Sequence, residues 1–165
     1  MSRRRNSLTI ALLVIVIVFS IDQLSKQWVL TTFQQAGTTL ALPGPVDLTL
    51  VFNRSNAFGL VPVSGEVTRW GLAALNLAVA AVLAWILIRR PMSRASTLGV
   101  GFLIAGAAGN ALDRIRFGAV IDFFNASKLG FIWVFNVADA SIDVGIGLLL
   151  LVALLTPGSS RPSTR

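Results

Sequence analysis

The sequence predicts an all-α membrane protein: four transmembrane helices with a small extracytoplasmic β-element. Three observations carry this expectation. Of the 165 residues, 55% are hydrophobic and only 13% charged, a composition of the membrane class. Four apolar stretches each approach the roughly 20 residues needed to cross a bilayer. Eight arginines flank those stretches at alternate ends: Arg3, Arg4, Arg5, Arg89, Arg90, Arg94, Arg161 and Arg165. That is the positive-inside pattern, with both termini cytoplasmic.

The first span, residues 8–28, runs apolar from Leu8 to Ile21 and must take in Asp22 and Lys26 to reach membrane length. Arginines before an apolar run also mark cleavable signal peptides. Here no small-x-small site follows Ile21, and the chain turns to Asp22-Gln23-Leu24-Ser25-Lys26. The outer loop, about 31–69, has a turn at Pro43-Gly44-Pro45, then the partly alternating, β-prone run Val46 to Phe52. Asn53-Arg54-Ser55-Asn56 forms a second turn, and Gly65 to Trp70 reads as an interfacial anchor. The second span, 70–88, is interrupted only by Asn76. The third, 95–113, is rich in small residues, and Gly101, Ala105 and Gly109 form a ridge suited to close packing within or between chains. The second outer loop, 114–136, carries Phe117 to Phe123 and the aromatic run Phe131 to Phe135, read as packing at the membrane interface. The fourth span, 137–156, stops at Thr156-Pro157-Gly158, leaving a disordered tail, 158–165. All of this reads as one integral-membrane domain.

Composition also restricts the chemistry. There is no Cys, His or Tyr, which removes thiol nucleophiles, disulfides, Ser-His-Asp catalysis and most transition-metal sites. Any reaction falls to Asp, Lys, Ser, Thr, Asn or Arg, with no cofactor expected. The net charge of +7 sits beside the spans rather than among exposed aromatics of a soluble domain, so nucleic acid is not an expected partner.

Of only seven acidic residues, Asp22, Asp113, Asp139 and Asp143 lie inside or at the ends of spans, and Asp122 lies a few residues beyond one. A carboxylate in hydrocarbon costs roughly 2.5–3.5 kcal/mol and marks function by default. The expected topology brings Asp22, Asn110, Asp113, Asn136 and Asp139 to the outer ends of three spans, with Asp122 in the loop joining two of them. Bland readings exist for each. Asp22 can pair with Lys26 at i, i+4, Asp113 with Arg114 or Arg116, Asp122 can be a loop acid, and Asp139 a helix N-terminal acid. Two carboxylates converging in a partly dry cleft hold one proton between them. The ionised member can activate water while the protonated member assists the leaving group. Ion transport and a scaffold role are the alternatives. Transport predicts polar residues across the whole bilayer, whereas the inner halves of these spans are nearly all apolar.

Five ordered segments resemble the motifs of the lipoprotein signal peptidase family, the bacterial signal peptidase II aspartic proteases. They are Asp22 to Lys26, Phe52 to Gly59, Gly109 to Arg114, Gly118 to Phe123, and Phe135 to Ser141. The resemblance spans nearly residues 8–157. It implies a monomeric bacterial inner-membrane protease that removes signal peptides from diacylglyceryl-modified prolipoproteins, cleaving before the lipid-modified cysteine. Its partners are then the prolipoprotein substrate and membrane lipid. The family pattern also implies a β-cradle and an interfacial helix on the outer face. It assigns the catalytic pair to Asp122 and Asp139. Asp22, Lys26, Asn53, Gly59, Asn110, Asp113, Arg114, Asn136 and Ala138 take substrate-binding or supporting positions. Two departures stand out: Ser55-Asn56 replace the usual Thr-Gly, and Asp143 occupies a position the family does not reserve for an acid.

Overall fold

The stretch richest in glycine and alanine becomes the centre of the bundle. The computed structural model describes residues 2–54 and 65–156. It contains α1 (Ser2–Thr32), β1 (Thr39–Leu40), β2 (Asp47–Asn53), α2 (Glu66–Arg89), α3 (Arg94–Phe117), β3 (Val120–Asn125), β4 (Val134–Phe135) and α4 (Val137–Leu155), with a 3-10 turn at Ser127–Leu129. All four α-helices are long and apolar enough to span a membrane. The other three helices pack around α3. Its most apolar window is 61% buried within the chain, against 11% for α1 and α2.

Small residues explain this placement, because they let backbones approach closely. A Cβ added at Gly99 would lie 3.0 Å from the Gly145 carbonyl on α4, and one at Gly106 would meet Ala138 and Ser141. On the other side, Gly101 faces Ala11 and Val14 of α1, and Gly109 faces Asp22. The small-residue ridge therefore packs within the chain. The outer helices turn large side chains outward, among them Leu12, Leu13, Val16 and Ile17 on α1 and Leu150, Leu151 and Leu154 on α4. So much contiguous apolar surface is stable only against lipid.

The β-prone run of the first outer loop is β2, and it is one of four antiparallel strands in the order β1-β2-β3-β4. β3, from the second outer loop, pairs centrally with β2 through Val51 with Asp122, Phe52 with Ile121 and Asn53 with Val120. One face of the sheet is apolar: Leu48, Leu50, Ile121 and Phe123 bury against Val29 and Phe33 at the outer end of α1. Lys128 joins the two outer loops, bonding the Asp47 carboxylate at 2.6 Å and the Leu42 carbonyl at 3.1 Å. Phe131, Ile132 and Trp133 remain exposed, as expected for an interface-facing segment.

Two expected boundaries shift. The segment Gly65 to Trp70 is continuous with the second span. α2 begins at Glu66, whose carboxylate sits in the first helical turn, where the macrodipole favours it, and accepts from Arg69 and Trp70. The third span continues past residue 113 to Phe117, ending where Gly118 adopts a left-handed conformation at φ 71°. Arg114, expected at the start of a loop, is thus helical. The part of the first outer loop at 55–64, which holds Gly59 and the Ser55-Asn56 departure, lies outside the described residues, as does the 158–165 tail. Among the described residues of the outer segments there is no separate interfacial helix, only the 3-10 turn.

Candidate active site

A buried ion cluster ties three helices to the sheet. Asp22 and Lys26 lie four residues apart on α1 and so share a face. Lys26 Nζ reaches Asp22 Oδ2 at 2.8 Å and Asp113 Oδ2 on α3 at 2.7 Å, with all three side chains at 2% exposure or less. Asp113 is therefore ion-paired with Lys26, rather than with the neighbouring arginines expected from sequence, because the α1–α3 contact carries the ammonium to it. Gly109 makes room, since a Cβ there would come within 2.5 Å of Asp22 Oδ2. Gln23 bridges the two carboxylates, donating to Asp22 at 3.0 Å and Asp113 at 3.1 Å.

The same carboxylates hold two other elements. Asp22 Oδ1 accepts from the Ala138 N–H at 2.8 Å, satisfying one of the open donors in the first turn of α4. This is how Ala138 enters the site: through its backbone. Asp113 Oδ2 accepts from the Ile121 N–H at 3.2 Å and so pins β3. The ion cluster thus fixes the strand that carries Asp122 and the helix that carries Asp139.

Strand alternation then aims Asp122 away from the apolar face of the sheet that Ile121 and Phe123 occupy. Asp122 is a buried strand residue at 1% exposure, not a loop acid. Its Oδ2 accepts from Asn53 at 2.9 Å and its Oδ1 from Asn136 at 2.6 Å. Burial is the main cause that pushes this carboxyl up to about 7. The nearby Asp139 charge adds to it, and the two asparagine hydrogen bonds oppose it.

Asn136 connects the Asp122 carboxylate to the backbone at the start of α4. It is the N-cap of α4, its Oδ1 accepting from the Asp139 N–H at 2.9 Å while its Nδ2 donates to Asp122. Asp139, half-buried in the first turn of α4, accepts from Asn110 Nδ2 at 2.8 Å. Asn110 Oδ1 in turn accepts from Lys26 at 3.3 Å, which orients the Asn110 amide. Arg114 is buried, donates to the Asn110 carbonyl at 3.3 Å, and is attracted to Asp139, Asp122 and Asp113.

One network accordingly gathers Asp22, Lys26, Asn53, Asn110, Asp113, Arg114, Asn136, Ala138, Asp122 and Asp139. Gly59 lies outside the described residues. Asp143, one turn beyond Asp139, is exposed. Sequence reasoning passed over Gln23, although it sits inside the Asp22 to Lys26 segment. It also passed over Arg69, which ties α2 to the end of α3 by donating to the Arg114 and Ile115 carbonyls at 2.8 and 2.7 Å. The sequence placed Val120–Asn125 in the second outer loop without a strand, which only the structure supplies.

Known proteins share this arrangement of chain. Residues 14–155 match the family model of signal peptidase (SPase) II. The chain is 39% identical over 149 residues to a lipoprotein signal peptidase of Caulobacter vibrioides, covering 89% of this chain and 88% of that one. It is 39% identical to one from Nostoc sp., covering 90% and 92%. A similar protein of Burkholderia mallei is 38% identical, with 81% of each chain covered. Among solved structures, a bacterial membrane enzyme determined in meso at 2.3 Å superposes with a TM-score of 0.81 at 24% identity, over 95% of this chain and 94% of that one. A second bacterial membrane enzyme gives a TM-score of 0.76 at 26% identity, over 90% and 94%.

Proposed function

Since the chain belongs to the signal peptidase II family of lipoprotein signal peptidases, we propose that it is an aspartic endopeptidase of the bacterial inner membrane, with Asp122 and Asp139 as its catalytic pair. Its substrates are prolipoproteins carrying a diacylglyceryl-modified cysteine, and it cleaves the signal peptide just before that residue. The observation that carries the reading is that Asn136 donates to the Asp122 carboxylate while accepting the Asp139 backbone N–H, with Asn53 donating to the Asp122 carboxylate and Asn110 to that of Asp139.

The division of labour follows from environment. Asp122, with its carboxyl raised to about 7, is the member that holds the shared proton near neutral pH. It donates to the scissile carbonyl. Asp139, the more accessible of the two, is the ionised member and takes a proton from the attacking water. Proton transfer back to the departing amine completes cleavage. Lys26, Asp22, Asp113 and Gln23 hold the geometry, and Arg114 offsets the excess negative charge of the site. The chain acts as a monomer with both termini cytoplasmic and the pair near the outer face. Substrate reaches the site sideways from the bilayer, its acyl chains staying in hydrocarbon, since each CH₂ moved into water costs about 0.8 kcal/mol.

The test is cleavage of a diacylglyceryl-modified prolipoprotein by purified wild type, Asp122→Asn and Asp139→Asn, with thermal unfolding recorded for each. Both variants are expected to fold and to lose about 10²–10⁴-fold in rate. Retained cleavage in a folded variant would remove that carboxylate from the catalytic pair. Equal cleavage of substrates with and without the diacylglyceryl group would remove lipid docking from the reading.

A further inference from the structure

At the end of the bundle opposite Asp122 and Asp139, a cavity of about 380 Å³ opens between α1, the α2–α3 turn and the start of α3. Its lining is divided by chemistry. Leu8, Leu87 and Met92 give apolar walls, while Arg4, Arg90, Ser7 and Thr97 give cationic and hydroxyl groups.

Thr97 makes this more than an arginine-rich membrane end. It is 1% exposed, and its Oγ1 is the buried side-chain polar atom without a hydrogen-bond partner among the described residues. A helical threonine usually satisfies its hydroxyl on the carbonyl one turn back. Here no such bond forms, unlike at Thr9 and Thr31, whose hydroxyls donate to the Arg5 and Gln27 carbonyls. A buried hydroxyl left unbonded is costly, so its presence in the lining points to a partner that completes it. The cations are likewise unneutralised by acids from this part of the chain: residues 1–21 and 67–112 contain no Asp or Glu. Arg4 donates to the Ile88 carbonyl, a neutral partner.

Two guanidinium groups and the unbonded Thr97 hydroxyl beside an apolar wall match a phosphate diester attached to a hydrocarbon chain. Free phosphate would leave Leu8, Leu87 and Met92 unused. A zwitterionic headgroup would bring an ammonium toward two arginines. We propose that this cavity binds the headgroup phosphate of an anionic phospholipid. Arg4 and Arg90 neutralise its charge, Thr97 donates to a phosphate oxygen, and the apolar wall receives the first methylenes. With both termini cytoplasmic, the lipid comes from the inner leaflet; the site itself does not depend on the peptidase reading.

The full-length protein in neutral detergent would be titrated with dioleoyl phosphatidylglycerol, dioleoyl phosphatidylcholine or inorganic phosphate. Binding is read by native mass spectrometry and by the thermal midpoint. Phosphatidylglycerol is expected to bind and raise the midpoint, and the other two are not. Arg90→Gln should weaken that binding about fivefold. Thr97→Val should be at least as stable as wild type without lipid, because the unbonded hydroxyl is gone, yet gain less from phosphatidylglycerol. Arg94→Gln, outside the lining, should behave as wild type. Equal effects of phosphatidylcholine would overturn the proposal, as would inorganic phosphate matching the lipid. So would unchanged lipid binding in Thr97→Val and Arg90→Gln, or an Arg94→Gln loss as large as that of Arg90→Gln.

Discussion

Asp122 and Asp139 are the same residue type, one held by Asn136 through its carboxylate and the other through its backbone N–H, yet their surroundings differ. Asp122 is enclosed by sheet and helix, and its carboxyl is lifted from 3.8 to about 7, first by burial and then by the Asp139 charge. This has a sign for stability. Between about pH 4 and pH 7 the folded state binds this proton more tightly than the unfolded chain, so the contribution is fully present at low pH and is lost as pH rises to about 7. Asp122→Asn removes that loss. Its thermal midpoint should rise relative to wild type as pH increases from 4 to 8, and parallel pH profiles would show the carboxyl to be unperturbed. Activity should likewise fall above about pH 7, where the proton on Asp122 leaves. Lys26 plays a different part, because it pairs with two carboxylates away from water. Lys26→Met leaves both unpaired and should cost about 3–5 kcal/mol. Adding Asp113→Asn should recover part of that. A loss under about 1 kcal/mol in chemical denaturation would mean that Lys26 is not holding buried charge.

At the scale of the element, α3 is organised by what its residues lack. Gly99 and Gly106 admit α4, while Gly101 and Gly109 admit α1. These contacts are not equivalent. A Cβ at Gly101 would meet Val14 Cγ1 at 3.3 Å, a side chain able to yield, whereas at Gly109 it would press on the Asp22 carboxylate. Gly109→Ala should therefore cost about 1–3 kcal/mol and reduce cleavage, because displacing Asp22 also disturbs the Ala138 N–H and the start of α4. Gly101→Ala should be milder on both counts. Equal effects would mean that helix spacing alone, and not the Asp22 carboxylate, sets the requirement. Asn136 shows the same economy at a helix end: one side chain caps α4, holds Asp122 and so sets the relation of strand to helix.

For the whole molecule, the polar network lies at one end of the bundle and the arginine-rich turn at the other, with lipid-facing apolar surface between. The proposed orientation is directly measurable, because the chain has no cysteine of its own. In intact cells, Ser127→Cys should react with a membrane-impermeant maleimide, while Pro91→Cys should react only after permeabilisation. The reverse result would invert the topology. Much of this plan was legible in the sequence. Four spans, the β-prone run Val46 to Phe52 and the set of polar residues at one depth all follow from local signals: apolar length, alternation, and the cost of carboxylates in hydrocarbon. The helix boundaries at Glu66 and Phe117 were less legible, since caps and dipoles extend helices beyond their apolar windows.

What the sequence determined by itself was the class of fold, the absence of thiol and imidazole chemistry, and the short set of residues able to form a site. Those depend on composition and on patterns a few residues long. The partners of those residues were decided only by tertiary structure. Nothing local says that Lys26 reaches Asp113 across two helices, that Asp22 caps α4 from α1, or that Asp122 stands on a strand paired with β2 from the other loop. Each such contact joins residues more than 60 positions apart, and those between helices form because glycines on α3 let α1 and α4 close until buried donors and acceptors must satisfy one another.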